Sequence, residues 1–138
     1  MKRRPGAVKS ADPFDAVRDV GLTLPRVEMA TRYDGTAVLK LGGCFLAGMA
    51  THLSAEPGSL VVRVSLGERE LLLEDAPETY YVTDYYRPYA VVLVRLSRVN
   101  RDALHDLLSM SRRLTLEKSK GRRSCRGRRA LDGPAPFG

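Results

Sequence analysis

Thr79-Tyr80-Tyr81-Val82-Thr83-Asp84-Tyr85-Tyr86-Arg87-Pro88-Tyr89-Ala90-Val91-Val92-Leu93-Val94-Arg95-Leu96 is the stretch whose reading decides the fold, and it holds five of the chain's six tyrosines. Val91 to Val94 form a short apolar run, as expected of a strand covered on at least one face. Ahead of it, Tyr85-Tyr86-Arg87-Pro88-Tyr89 has the aromatic and proline character of a structured loop. A tyrosine buries a large ring while its hydroxyl wants a partner. Such a set beside Arg87 suits either a packing corner or a surface that grips a base or an anionic ligand. Packing is favoured, because the strand that follows must be anchored. Tyr85, Tyr86, Arg87 and Tyr89 remain the candidate ligand-binding residues, and the three rings are expected nearer solvent than Tyr80 and Tyr81.

Outward from this stretch, the closing helix has clear local grammar. Asn100 is a good N-cap, and Val99 and Leu104 stand where a hydrophobic staple would put them. Leu104, Leu107, Leu108, Met110 and Leu114 then give one apolar face. Upstream, Glu68 to Glu74 reads as a short helix stopped ahead of Pro77. Leu60 to Val64 is a strand, and Gly42-Gly43 punctuates a hairpin between Thr36–Leu41 and Cys44–Met49. Val27 to Thr31 is a shorter first strand. Asp12-Pro13-Phe14-Asp15 opens a helix of about three turns, with Phe14, Val17, Val20, Gly21 and Leu24 at helical spacing, closed by Leu24-Pro25. Connections this short predict an antiparallel meander. The fold class is α+β, a two-layer domain with helices packed on one face of an antiparallel sheet.

The chain has 138 residues and a net charge of +7, unevenly divided. Residues 1–11 carry +4 and residues 118–138 carry +6, which leaves −3 for 12–117. The expected organisation is a basic, flexible N-terminus (1–11), a folded domain (12–117) and a basic, disordered tail (118–138). Lys118, Lys120, Arg122, Arg123, Arg126, Arg128 and Arg129 are the candidate nucleic-acid contacts, an arm that neutralises phosphates without reading bases. The other reading of that tail is a solvated extension. No run of about 18 apolar residues predicts a membrane helix, and the basic N-terminus lacks the apolar segment of a signal peptide. A cytoplasmic protein is expected.

Residues 13–117 resemble the MmcQ/YjbR-like family. The resemblance rests on Phe14-Asp15-Ala16-Val17-Arg18, Leu24-Pro25-Arg26-Val27-Glu28, the Gly42-Gly43 hairpin, Leu60–Val64 and above all the Tyr80–Tyr89 segment running into Val92–Leu96. It implies a compact domain like the frataxin-like fold, in a family whose members are often labelled DNA-binding. The chain departs from the family pattern where Tyr85 replaces a usual histidine, Cys44 a usual lysine and Ala90 a common proline. The first two changes make the region less cationic.

The sequence offers no constellation for catalysis. His52 and His105 have no recognisable tie to Cys44, which reads as a small buried hydrophobe. Cys44 and Cys125 build neither a disulfide framework nor a zinc spacing. No metal-ligand pair, phosphate loop or nucleophile elbow occurs. An iron site of the frataxin kind needs an acidic ridge, and the first helix has only Asp12, Asp15 and Asp19, interleaved with Arg18. No cofactor is expected. The reading is thus a non-enzymatic protein that binds nucleic acid non-specifically through its basic tails; the alternative is a small-ligand or protein-partner domain using the Tyr85–Tyr89 loop.

Overall fold

Gly42 and Gly43 have φ of 58° and 86°, the left-handed region a two-residue hairpin needs and side chains resist. They join β2 (Ala37–Leu41) to β3 (Cys44–Met49). The structure, a computed structural model, describes residues 14–32 and 35–121, with side chains as far as residue 117. The remaining elements are α1 (Phe14–Gly21), β1 (Val27–Thr31), β4 (Ser59–Arg63), α2 (Leu66–Asp75), β5 (Tyr80–Tyr81), β6 (Val91–Arg95) and α3 (Arg101–Gly121). The strands form one six-stranded antiparallel sheet in the order β1-β2-β3-β4-β6-β5. The expected meander holds as far as β4. There β6 inserts beside it, and β5 is pushed to the edge. A bulge between Leu39 and Lys40 shifts the register of β2 on β3.

Side chains alternate across the strands, so the sheet has two apolar faces. One takes α1 and α3: Phe14, Val17, Val20, Leu104, Leu107 and Leu108 close over Leu39, Leu46, Leu60, Val62, Val92 and Val94. Gly21 allows this approach, since a β-carbon there would run into the Leu39 side chain. α1 stops at Gly21, short of the predicted Leu24, because the Thr23 N–H and hydroxyl both donate to the Val20 carbonyl, at 3.1 and 2.6 Å. Leu24 is buried all the same. The expected Asp12 cap lies outside the described residues.

The second face is not left to solvent. Val38, Phe45, Val61, Val91 and Leu93 form a smaller core with Tyr86, and Tyr81, Val82, Tyr85 and Tyr89 pack at its margin. The connector between β5 and β6 therefore does the work of a third layer. At the far side, α3 runs to Gly121, past the Glu117 where its apolar pattern fades. The Asn100 side chain accepts the Ala103 N–H at 2.8 Å, so the predicted cap is present. Among the described residues, no helix is long and apolar enough to cross a membrane.

Candidate functional site: the tyrosine corner and the basic end of α3

The Tyr85–Tyr89 loop is wound tightly on itself. The Tyr86 and Arg87 N–H groups both donate to the Thr83 carbonyl, at 3.1 and 2.8 Å, and the Tyr89 N–H donates to that of Tyr86 at 3.0 Å. This winding turns Tyr86 inward, where it is fully buried beneath the loop and reaches the second core. Its hydroxyl accepts the His52 backbone N–H at 3.2 Å. Burial pushes its phenol above the ordinary tyrosine range, against the backbone bonds from His52 and Thr51. The expectation that Tyr86 would reach solvent more than Tyr80 or Tyr81 is therefore corrected. Tyr80 is also buried, and Tyr81, Tyr85 and Tyr89 are half-buried.

A residue 33 positions upstream completes the corner. The His52 ring stacks on Tyr85 with centroids 3.4 Å apart and 8° between planes, while Tyr85 meets Tyr86 edge-on at 5.1 Å. The Ser54 N–H donates to His52 Nδ1 at 3.0 Å, and Ser54 Oγ lies 2.9 Å from Thr83 Oγ1. Nδ1 is thus an acceptor in this arrangement, which assigns the ring proton to Nε2. Arg87 points outward beside Asp84, 3.8 Å away, with its side chain 55% exposed. Of the candidate ligand residues, Arg87 alone stands free of the packing; the three rings are brought together as the lid of the second core.

Two further arginines fix this corner, and no local pattern in the sequence singles them out. Arg69 is the one buried residue of α2, and its Nη1 donates to the carbonyls of Arg87, Tyr89 and Val91 at 3.3, 3.0 and 3.2 Å. Burial first, then Arg87, pushes its pKa below the usual arginine value. Arg95 lies 4.2 Å over the Tyr81 ring and grips both Glu56 carboxylate oxygens, at 2.9 and 2.8 Å. That bond holds Glu56 below the usual carboxylate range and Arg95 above its own. Arg32 donates to Thr36 Oγ1 and the Met49 carbonyl, both at 3.0 Å, and Arg63 to the Phe45 carbonyl at 3.0 Å. The body's inner cations are thus spent on the protein itself.

Among the described residues, two of the solvent-open clefts are lined by residues other than Tyr85–Tyr89. One of about 400 Å³ lies at the start of α3, between Ala16, Glu56, Arg95, Leu96, Val99 and Leu104. The other, about 410 Å³, is a shallow hollow formed by Leu71, Leu72, Glu74 and Asp75 of α2. Among the described residues, no three His, Cys, Asp or Glu side chains gather around a point that could hold a metal ion. Arg18 reaches Asp15 and Asp19 at 3.6 and 3.5 Å, so the carboxylates of the first helix are already countered. Cys44 is fully buried, but its sulfur is disulfide-bonded and not free, which corrects the expectation drawn from cysteine spacing. Spacing along a chain does not reveal which sulfurs meet in space.

The basic candidates begin on α3. Lys118 and Lys120 belong to its helical backbone, whereas Arg122, Arg123, Arg126, Arg128 and Arg129 lie outside the described residues, as do residues 1–11. One and a half to two turns ahead of Lys118, Arg113 is exposed and Arg112 donates to the Pro25 carbonyl at 2.7 Å, tying this half of α3 to the α1–β1 turn. Arg26, next to that turn, is exposed as well.

Among solved structures, the chain is similar to the crystal structure of Deinococcus radiodurans protein DR2400, which carries a DUF419 domain. The two share 25% identity, with a TM-score of 0.61, over 78% of this chain and 83% of that one. No protein-family model and no curated protein matches the chain.

Proposed function

We propose that this is a non-enzymatic, YjbR-like protein that holds nucleic acid without sequence preference, through cations at and beyond the C-terminal end of α3. The likeness to a DUF419 protein supports the YjbR-like part, since that fold is related to YjbR-like folds. One observation carries the binding part: α3 continues unbroken to Gly121, so the basic segment starts on the backbone of a helix docked on the core. The helix is unevenly charged: Arg101, Asp102 and Asp106 stand in its first half, Arg112, Arg113, Lys118 and Lys120 in its second, where Glu117 is the one acid. Phosphates would meet this end first, because Arg32, Arg63, Arg69 and Arg95 have their donors turned onto the protein. Contacts to phosphate position a protein on a duplex but carry no sequence information.

The test is the salt dependence of duplex DNA affinity for the full chain. Replacing Arg122, Arg123, Arg126, Arg128 and Arg129 with glutamine should lower the magnitude of the slope of log K against log salt by up to about 4.5, near 0.9 per phosphate neutralised. An unchanged slope refutes the proposal. The alternative, a ligand or protein partner at the Tyr85–Tyr89 loop, is placed second because Tyr86 is inside the core. It draws on Arg87 and on Leu53, 95% exposed on the neighbouring loop.

A further inference from the structure

Cys44 opens β3 directly after the Gly42-Gly43 turn, is fully buried and is disulfide-bonded. The chain has two cysteines, so within one molecule the other sulfur is that of Cys125. The course of α3 fits this pairing. Its first turns lie by Leu96 and Val99, at the end of the sheet where β6 finishes. By Arg112 it has crossed to Pro25, just ahead of β1, whose carbonyl Arg112 reaches at 2.7 Å. Val27 pairs with Leu41 and Leu41 with Cys44, so this is the end of the sheet that carries Cys44. Cys44 stands two residues before Leu46, on the face that α1 and α3 cover. The helix runs about 14 Å beyond Arg112 to Gly121, and the four residues on to Cys125 can cover about 13 Å on the way back.

A disulfide holds its two Cα atoms about 4.4–6.8 Å apart. Arg123 and Arg126 flank Cys125 in the chain, so the bond draws them to the hairpin end of the sheet. Arg26 is already there, next to Val27, which lies about 10 Å from Cys44 across two strand spacings. Arg26 and Arg113 are both exposed. Of the acids nearby, Glu28 lies opposite Lys40 in the sheet and Asp19 is 3.5 Å from Arg18, so each has a cation beside it.

We infer that Cys44 and Cys125 are a reversible thiol–disulfide couple that straps the basic arm to this end of the domain. Oxidised, the couple gathers the arm's arginines with Arg26 and Arg113 into one patch for polyanions; reduced, it releases them. The patch rests on the proposed nucleic-acid binding, whereas the strap does not. Reduction is a two-electron exchange with a dithiol. One thiolate of the dithiol attacks the Cys125 sulfur, since Cys44 is buried, and the Cys44 sulfur leaves and takes a proton. The second thiolate closes the dithiol into a cyclic disulfide and frees Cys125, which takes the other proton. Oxidation is the same exchange run backward, with a small disulfide accepting the two electrons.

The test compares the full chain equilibrated with oxidised glutathione and with dithiothreitol. Peptide mapping of the first, without reduction, should give a Cys44 peptide joined to a Cys125 peptide, in a monomer lighter by the two thiol hydrogens. Two free thiols, or a bond between two chains, overturn the inference. Brief trypsin treatment of the native protein should cut after Arg122, Arg123 and Arg126 about tenfold or more slowly in the oxidised form. Equal rates overturn the strap. Affinity for duplex DNA should fall by about tenfold or more on reduction, because a gathered patch loses less freedom on binding than a loose arm. Cys125→Ser should bind as the reduced form does and ignore dithiothreitol. Equal affinities in the two forms, with the five glutamine substitutions still flattening the salt slope, overturn redox control and leave nucleic-acid binding standing. No affinity in either form defeats the binding reading and the patch with it, while joined peptides and slowed cleavage would still uphold the strap.

Discussion

Replacing Tyr86 with alanine should remove most of the second core's stability. Tyr86 heads the fully buried large side chains, and its ring reaches the cluster of Val38, Phe45, Val61, Val91 and Leu93. Truncating a buried aromatic ring costs about 3–5 kcal/mol, depending on how far the site collapses. The His52 N–H also loses its acceptor, but it lies in a loop flanked by exposed residues, where water can replace the hydroxyl. We therefore add only about 1 kcal/mol for it, giving roughly 4–6 kcal/mol in all. Tyr86→Phe isolates that last term and should cost about 1 kcal/mol. Tyr85→Ala, which loses a half-exposed ring stacked on His52, should cost about 1–1.5 kcal/mol. Urea unfolding of the full chain, followed by far-ultraviolet circular dichroism, ranks the three. The reasoning fails if Tyr85→Ala is as costly as Tyr86→Ala, or if Tyr86→Ala costs less than about 2 kcal/mol.

Gly48→Ala should destabilise by about 1–3 kcal/mol, because its β-carbon would fall 2.7 Å from Val38 Cγ1 and 2.9 Å from Arg32 Nη2; equal midpoints in urea would refute this. Arg69→Met keeps the stem but leaves three carbonyls without their shared donor, and should cost about 2–3 kcal/mol and alter the near-ultraviolet tyrosine signal. An unaltered spectrum and midpoint would show that the guanidinium does not hold the loop. Burial raises both Tyr80 and Tyr86, so their contribution is fully present below the unfolded tyrosine pKa of about 10 and is lost as pH rises through the folded values. Unfolding monitored from pH 8 to 11 should show stability falling from about pH 10, less steeply in Tyr86→Phe; equal falls in both proteins would contradict it.

Local chemistry made most of the elements legible. Gly42-Gly43 announced its hairpin because φ is a property of the residue itself, and Asn100 announced α3 because a cap reaches only three residues ahead. Ser65 and Glu68 carried a comparable signal for α2: the Ser65 side chain accepts the Glu68 N–H, the serine-to-glutamate spacing of a capping box. That start lies earlier than the apolar run suggested. Non-local choices were hidden. β6 pairs with β4 over a separation that no period encodes, and His52 meets Tyr85 across 33 residues of chain. The sense in which Tyr86 turns inward while Arg87 turns out depends on the Thr83 carbonyl accepting from both. A charged residue as the anchor of α2 contradicts the usual expectation that arginine stays outside.

That anchor has a dynamic corollary. Helices normally cling to a body through an apolar stripe, which water must enter gradually. α2 leaves Leu66 and Leu71 more than half exposed and packs Leu72 and Leu73 against the main core only half-buried, so its deepest attachment is one guanidinium. Attachment of this kind is directional, so it ends within a short displacement, and α2 can swing off while the sheet stays intact. In native-state hydrogen exchange its amides should be replaced well ahead of those in α3, as a separate cooperative unit. Each such excursion would wet the carbonyls of Arg87, Tyr89 and Val91, making this small helix the latch of the tyrosine corner.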